Sequence, residues 1–359
     1  MLLTGTGRLA PAGLSPWAIH VRDGRVTWVG DPRDAPGDEA RVDIGQALVT
    51  PGLVDSHTHP VFAGDRSDEV AARLAGAPYT EGGILRTVRE TRAADDATLE
   101  GLVEGRLRAS LRAGTTTMEC KSGYGLSLDE ELRHLRIIGR VADRLPMRVV
   151  RTFLGAHAVP PGSTMAEYAG HVADDMIPAV AAEGLAEFVD VFADAGFFDL
   201  EASERIGRAA LAAGLGFRLH AEQLARTGAA ELGVRLGAAA VDHLEELDDT
   251  GARALLDAGG TVALASDANA GTFGGFGTMP LVVGLGATLL GMTVTEALTA
   301  ATEGGAAALR LADVGVLRPG AAADLVAWDA EHEGAFALRL GSVRSLRAWI
   351  AGEEVALSG

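Results

Sequence analysis

The chain has 359 residues, 48 % of them hydrophobic and 5 % aromatic, with a formal net charge of −18. The acidic balance repels phosphate backbones and argues against a nucleic-acid partner. A single cysteine, Cys120, excludes an internal disulfide, and no apolar run reaches the roughly 18 residues of a membrane span, so the expectation is a soluble cytoplasmic protein with no membrane partner.

The N-terminus, Met1-Leu2-Leu3-Thr4-Gly5, lacks a basic stretch followed by an apolar core, and no signal peptide is expected. The first 50 residues read as short strands. Residues 18–22 and 25–29 are β-formers on either side of Asp23-Gly24, a hairpin signal. From Thr50 onward short apolar runs alternate with helix-period stretches. The runs fall at 52–55, 115–119, 148–154, 187–192, 217–220, 238–242 and 261–265; amphipathic segments lie between them, for example 129–143, 165–182 and 201–213. Repeated βα units imply a parallel sheet covered on both faces, and regular repetition favours a TIM-like (β/α) barrel over an open sheet. A helix over about 293–311 is followed by β-like runs at 314–317, 323–328 and 348–350. The division is then a barrel over 51–312 and a small β-sandwich built from both chain ends, 1–50 and 313–359.

The strand count is one short. Seven runs lie between Gly52 and Asp267, and the segment from His243 to Asp267 holds one helix (248–258) and one strand. A βα unit needs about 30 residues. The chain therefore lacks one βα unit there, and the barrel either closes on seven strands or is distorted.

The chemistry-bearing residues cluster at strand ends. In Val54-Asp55-Ser56-His57-Thr58-His59 the two histidines sit at i and i+2, on one face of a strand. His157, His220, His243 and Asp267 each end a separate run. Alone, any of these reads as a capping or surface residue. Together they fall at the end of a barrel where active sites form. Three imidazoles and a carboxylate suit one ion with a place left for water. Asp267 can bind the ion and take a water proton, and His243 can hold that water or polarise a carbonyl. His20, His134, His171 and His332 read as ordinary surface residues. Cys120 reads as a small buried strand residue. Lys121, next to Glu119, reads as its ion-pair partner rather than as a metal-bridging carbamate.

These segments resemble the amidohydrolase superfamily, and within it the imidazolonepropionase family of histidine degradation. The matching stretches are Pro51 through Arg66 (PGLVDSHTHPVFAGDR), Glu119-Cys120-Lys121-Ser122-Gly123-Tyr124-Gly125-Leu126, Thr152 to His157, His220-Ala221-Glu222-Gln223-Leu224, Asp242-His243-Leu244-Glu245, and Ala265 to Thr272. The resemblance implies hydrolysis of 4-imidazolone-5-propanoate to N-formimidoyl-L-glutamate by metal-activated water. It implies one Zn2+ or Fe3+ ion at His57, His59, His220 and Asp267, with His243 as the water-activating histidine. It also implies substrate contacts by Arg66, Tyr79, Tyr124, His157, Gln223, Asn269, Gly271 and Thr272. The match of Arg66 suits a propionate, since a guanidinium forks onto a carboxylate. A homodimer is implied by the resemblance alone.

Two departures stand out. Ala268 and Ala270 flank Asn269 where a larger residue and a proline are expected, and the short segment before Asp267 puts that residue's reach to the metal in question. Two rivals remain. A deaminase acting on a heterocyclic amine usually carries Glu three residues after the third metal histidine; here that position is Gln223, and Glu222 should point the other way. A non-catalytic metal-binding barrel is supported only by the missing unit.

Overall fold

The computed structural model describes residues 1–37, 40–76, 81–272 and 274–357. Strands β1 (Leu2–Gly5), β2 (Trp17–Arg22), β3 (Arg25–Gly30) and β4 (Arg41–Asp43) form a sheet in the order β3-β2-β1-β4. The hairpin falls at Asp23-Gly24, both with positive φ, as a two-residue turn of right-handed twist requires. Strand β5 (Leu48–Pro51) begins a second sheet that the far end of the chain completes.

Six strands then run parallel: β6 (Leu53–Asp55), β7 (Thr115–Lys121), β8 (Arg148–Ala156), β9 (Phe188–Ala193), β10 (Gly216–Ala221) and β11 (Ala240–His243). They pair in strict sequence order, the mark of repeated βα crossovers in one direction. The covering helices are α1 (Ser67–Leu74), α2 (Glu81–Ala93), α3 (Asp96–Arg112), α4 (Leu128–Ala142), α5 (Met165–His171), α6 (Ile177–Ala182), α7 (Leu200–Ala212), α8 (Ala229–Leu236) and α9 (Asp249–Asp257). Asp95, Asp199 and Asp248 cap α3, α7 and α9 by accepting amide hydrogen bonds, which satisfies donors that the first helical turn leaves open. Leu132, Leu135, Ile138 and Val141 recur every third residue of α4 and are all buried; such burial stabilises by about 1.5–3 kcal/mol per side chain. The single helix expected over 165–182 is α5 and α6 joined by a π turn, Val172–Met176.

The segment at 261–265, expected as a strand, makes no ladder. It is tied down in other ways. Leu264 N donates to the Ala300 carbonyl at 3.0 Å, and His59 N donates to the Ala268 carbonyl at 2.9 Å. Thr58 and Ala268 form an isolated parallel bridge. Asp55 accepts from Ser266 N at 3.0 Å and from Ser266 Oγ at 2.6 Å. One flank of this segment therefore lies against β6, while β11 pairs only with β10. After α10 (Met279–Leu289), the helix from α11 (Val294–Thr299) through a π turn to α12 (Gly305–Ala308) covers that flank. Gly304 and Gly305 permit the approach: a Cβ would lie 2.2 Å from the Val262 carbonyl and 2.6 Å from the Val54 carbonyl.

Strands β12 (Leu325–Trp328), β13 (Ser345–Ile350) and β14 (Glu353–Val355) complete the second sheet in the order β14-β13-β12-β5. The two sheets share a core containing Leu3, Trp17, Ile19, Val49, Leu325 and Trp349. No strand forms at 314–317. Gly315 adopts a positive φ there against the Thr302 carbonyl, which breaks the extended run. Two further expectations are corrected. His20 and His134 are buried, because each side chain folds into the packed side of its element, whereas His171 and His332 are at the surface. Cys120 is buried, as expected of a small strand residue. Among the described residues no helix is long and apolar enough to cross a membrane.

Candidate metal centre

The ends of β6 and β10 and the segment after Leu264 meet at one point. The ring nitrogens Nε2 of His57, His59 and His220 face one another, with His57–His220 at 3.1 Å, His57–His59 at 3.3 Å and His59–His220 at 3.4 Å. Asp267 Oδ1 lies 3.6 Å from Nε2 of both His57 and His59. Zinc–nitrogen bonds near 2.0–2.1 Å in a tetrahedron place the nitrogens about 3.3 Å apart, so the donor set fits one ion. Burial holds the His57 and His59 imidazoles well below their usual pKa, which keeps them neutral and able to ligate. Asp267 thus reaches His57 and His59 despite the short segment that precedes it.

The outer nitrogens of two rings face carboxylates. His220 Nδ1 donates to Asp190 Oδ1 at 3.0 Å, and His57 Nδ1 lies 3.2 Å from Asp242 Oδ2. Lys121 Nζ donates to Glu119 at 2.7 Å and to Asp190 at 2.6 Å, fully buried. The lysine is enclosed as an ammonium by two carboxylates, which agrees with the ion-pair reading rather than a carbamate. Arg218 reaches Asp242 at 3.1 Å. Asp190, Asp242 and Arg218 were not singled out from the sequence. The available signal was a charge inside an apolar strand, Val189-Asp190-Val191 and Phe217-Arg218-Leu219.

His243 stands beside the three histidines, its ring centroid 5.2 Å from that of His57 and 5.1 Å from that of His220. Burial opposes its protonation, but Glu245 at 3.5 Å and the charge of Asp267 outweigh that and raise its pKa. Among the described residues its Nε2 has no hydrogen-bond partner, although it is buried. His243, Leu244 and Asp267 have positive φ, a conformation costing non-glycine residues about 1–2 kcal/mol each. Strain at the ends of these runs aims the side chains inward.

The expected substrate-contact residues divide into groups. His157 stacks on His59 at 5.2 Å and points Nδ1 to the Gly123 carbonyl at 2.9 Å; burial pulls its pKa down to about 3. Tyr124 packs against both rings, on a loop whose Gly123, Gly125 and Leu126 amides donate to the buried Glu131 carboxylate. Gln223 is half-buried, with its amide N bound to Asp194 at 2.6 Å. Arg66 is gripped by Glu69 through Nε and Nη2, at 3.0 and 2.5 Å. Gly271 lies flat against that guanidinium, where a Cβ would sit 2.3 Å from Cζ. Asn269 and Thr272 hydrogen-bond the Asp267 carboxylate, Nδ2 to Oδ1 and Oγ1 to Oδ2, each at 2.9 Å. Tyr79 lies outside the described residues.

Residues 48–355 match the amidohydrolase family. An imidazolonepropionase from Nocardia farcinica is 42 % identical over 97 % of this chain and 96 % of its own, and one from Salinispora arenicola is 44 % identical over 90 % and 88 %. The first alignment spans 392 positions against the 359 residues here, so that relative carries residues without a counterpart in this chain. Among solved structures, a 5-methylcytosine deaminase from Klebsiella pneumoniae superposes with a TM-score of 0.75 at 15 % identity, covering 100 % of this chain and 98 % of its own. An N-isopropylammelide isopropylaminohydrolase from Burkholderia multivorans gives 0.71 at 20 % identity, covering 99 % and 98 %. At these identities the likeness shows the fold alone.

Proposed function

The chain belongs to the amidohydrolase family, and on that premise we propose that it hydrolyses 4-imidazolone-5-propanoate to N-formimidoyl-L-glutamate at a single metal site. The observation that carries the reading is the meeting of three Nε2 atoms within 3.4 Å of one another, with the Asp267 carboxylate 3.6 Å from two of them. His57, His59, His220 and Asp267 would hold the ion. When bound, zinc or iron supplies Lewis acidity that brings the pKa of water toward neutrality.

The chain's own residues supply the remainder. Water adds to the ring carbonyl carbon, the carbon–nitrogen bond breaks, and the departing nitrogen takes up the proton that the attacking water gives to Asp267. Asp267 accepts the proton of the attacking water, with Asn269 and Thr272 fixing its orientation. His243, with a raised pKa and an unengaged Nε2, donates toward the developing oxyanion. Arg66, its fork set by Glu69 and Gly271, receives the propionate, beside Tyr124 and His157. Gln223 and Tyr79 complete the substrate contacts in this reading. The support for ring opening over deamination is local. Gln223 cannot titrate, and the Glu222 carboxylate is committed to the amides of Thr227, Gly228 and Ala230.

The architecture follows the same reading. The six parallel strands and the segment at 261–268 form a (β/α) barrel over 51–312 that lacks its seventh βα unit. The two flanking sheets form a β-sandwich of residues 1–50 and 313–359. Metal-loaded protein should convert the imidazolone and release no ammonia from cytosine or adenine. Ammonia from either base, without imidazolone turnover, would restore the deaminase; metal and ligand bound without turnover would favour the non-catalytic barrel.

A further inference from the structure

We propose that Lys121 and Arg218 are positioning residues for the metal-facing imidazoles, acting through Asp190 and Asp242. The inference rests on the metal reading above but concerns residues that touch neither metal nor substrate.

The geometry repeats. On one side Lys121 Nζ holds Asp190 Oδ2 at 2.6 Å, and Asp190 Oδ1 accepts from His220 Nδ1 at 3.0 Å. On the other, Arg218 Nη2 holds Asp242 Oδ2 at 3.1 Å, and that same oxygen faces His57 Nδ1 at 3.2 Å. Glu119 joins the halves: it accepts from Lys121, lies 3.8 Å from Arg218 Nε, and receives the Thr58 amide between His57 and His59. His220 is thereby fixed as the tautomer with its proton on Nδ1, leaving its Nε2 lone pair for the metal, while Asp242 stands behind the His57 ring within ion-pair distance but without a hydrogen bond to it. Without that constraint a ring can rotate or carry its proton on Nε2, and either change removes a ligand.

Charge supports the same assignment. The cluster sets two cations among three carboxylates, and Asp267 adds a fourth carboxylate at the histidines. A buried excess of negative charge is costly unless a cation offsets it. A divalent ion among the histidines supplies that offset. Lys121 and Arg218 have the complementary task of holding Asp190 and Asp242 to one geometry instead of letting them collapse onto the metal.

The test compares Zn2+ affinity, by chelator competition, and the visible absorption of the Co2+-loaded protein in wild type, Lys121→Met and Asp190→Asn. Carboxylates behind metal histidines typically govern affinity by 10–100-fold. Both variants should bind Zn2+ about 10–100-fold more weakly and show shifted Co2+ bands. Asp324→Asn, a buried carboxylate in the terminal sheets, should bind as wild type does, which separates positioning from general destabilisation. If either site variant fails to fold, Asp242→Asn carries the test, since Asp242 lies on the edge strand and is 15 % exposed. Wild-type affinity with an unshifted Co2+ spectrum in any folded site variant would overturn the inference. Failure of the wild type itself to bind Zn2+ or Co2+ would instead overturn the metal reading on which it rests.

Discussion

The sheet from β6 to β10 and the stretch from β11 to Ala268 deliver residues to the same site by different means. Strands β7 and β9 are buried along their whole length and hydrogen-bonded on both sides. Strand β11 is half-buried throughout and pairs on one side only. Beyond it, Leu256 and Val262 are 70 % and 64 % exposed, and the chain reaches Asp267 without a ladder. Asp267 nevertheless comes within 3.6 Å of two histidines, because Asp55, Ser266 and the Thr58–Ala268 bridge substitute for a strand's hydrogen bonds. A ligand position therefore needs a few well-placed tethers rather than a complete sheet around it.

The largest effect is expected on the open side. Asp267→Ala should lower kcat about 10³-fold or more, measured with saturating metal. Retained turnover would mean that the laddered strands alone run the reaction. Next comes a paired stability measurement. Phe153→Ala, buried on β8, should cost about 3–5 kcal/mol in denaturant unfolding, while Val262→Ala should stay within about 0.5 kcal/mol. Similar losses at both positions would erase the contrast between the two regions.

A smaller effect tests the tether itself. Ser266→Ala removes the 2.6 Å bond to Asp55, and slight misplacement of Asp267 should reduce kcat by up to about 10²-fold. An unchanged kcat would show that the backbone bridge suffices. The smallest effect belongs to the packed side. Burial of His134 on α4 lowers its pKa to about 3, so it is neutral when folded and takes a proton on unfolding below about pH 6.5. Its stabilising contribution is full above that pH and is lost as the pH falls toward 3. The wild type should lose about 2 kcal/mol between pH 7 and pH 5 that a His134→Leu variant keeps, read from thermal or urea unfolding at each pH. Equal acid sensitivity of the two proteins would remove His134 from the account.

Much of this was legible beforehand. Strands β6 to β11 lie where the apolar runs lie, because a strand covered on both faces must be apolar over a short length. The candidate ligands were legible because each histidine or aspartate interrupts the end of such a run. Other features were not. Whether 261–265 pairs as a strand depends on what lies beside it, and there the neighbour is missing. His134 shares its polar character with any surface residue, and only the packing of α4 buries it. The hydrogen bonds of Asn269 and Thr272 to the Asp267 carboxylate were not legible either, since they form only because the turn at 267–272 folds back on itself.

By itself, then, the sequence determined the order of strands and helices, the hairpin at Asp23-Gly24 and the residue types that gather at the strand ends. These follow from local periodicity and turn chemistry, which act over a few residues. The tertiary structure alone decided the 3.1–3.4 Å convergence of His57, His59 and His220, the partnership of Lys121 with Asp190 across 69 positions, and the tethering of Ser266 to Asp55 across 211. Such contacts depend on curvature and packing between distant segments, which no stretch of neighbouring residues encodes.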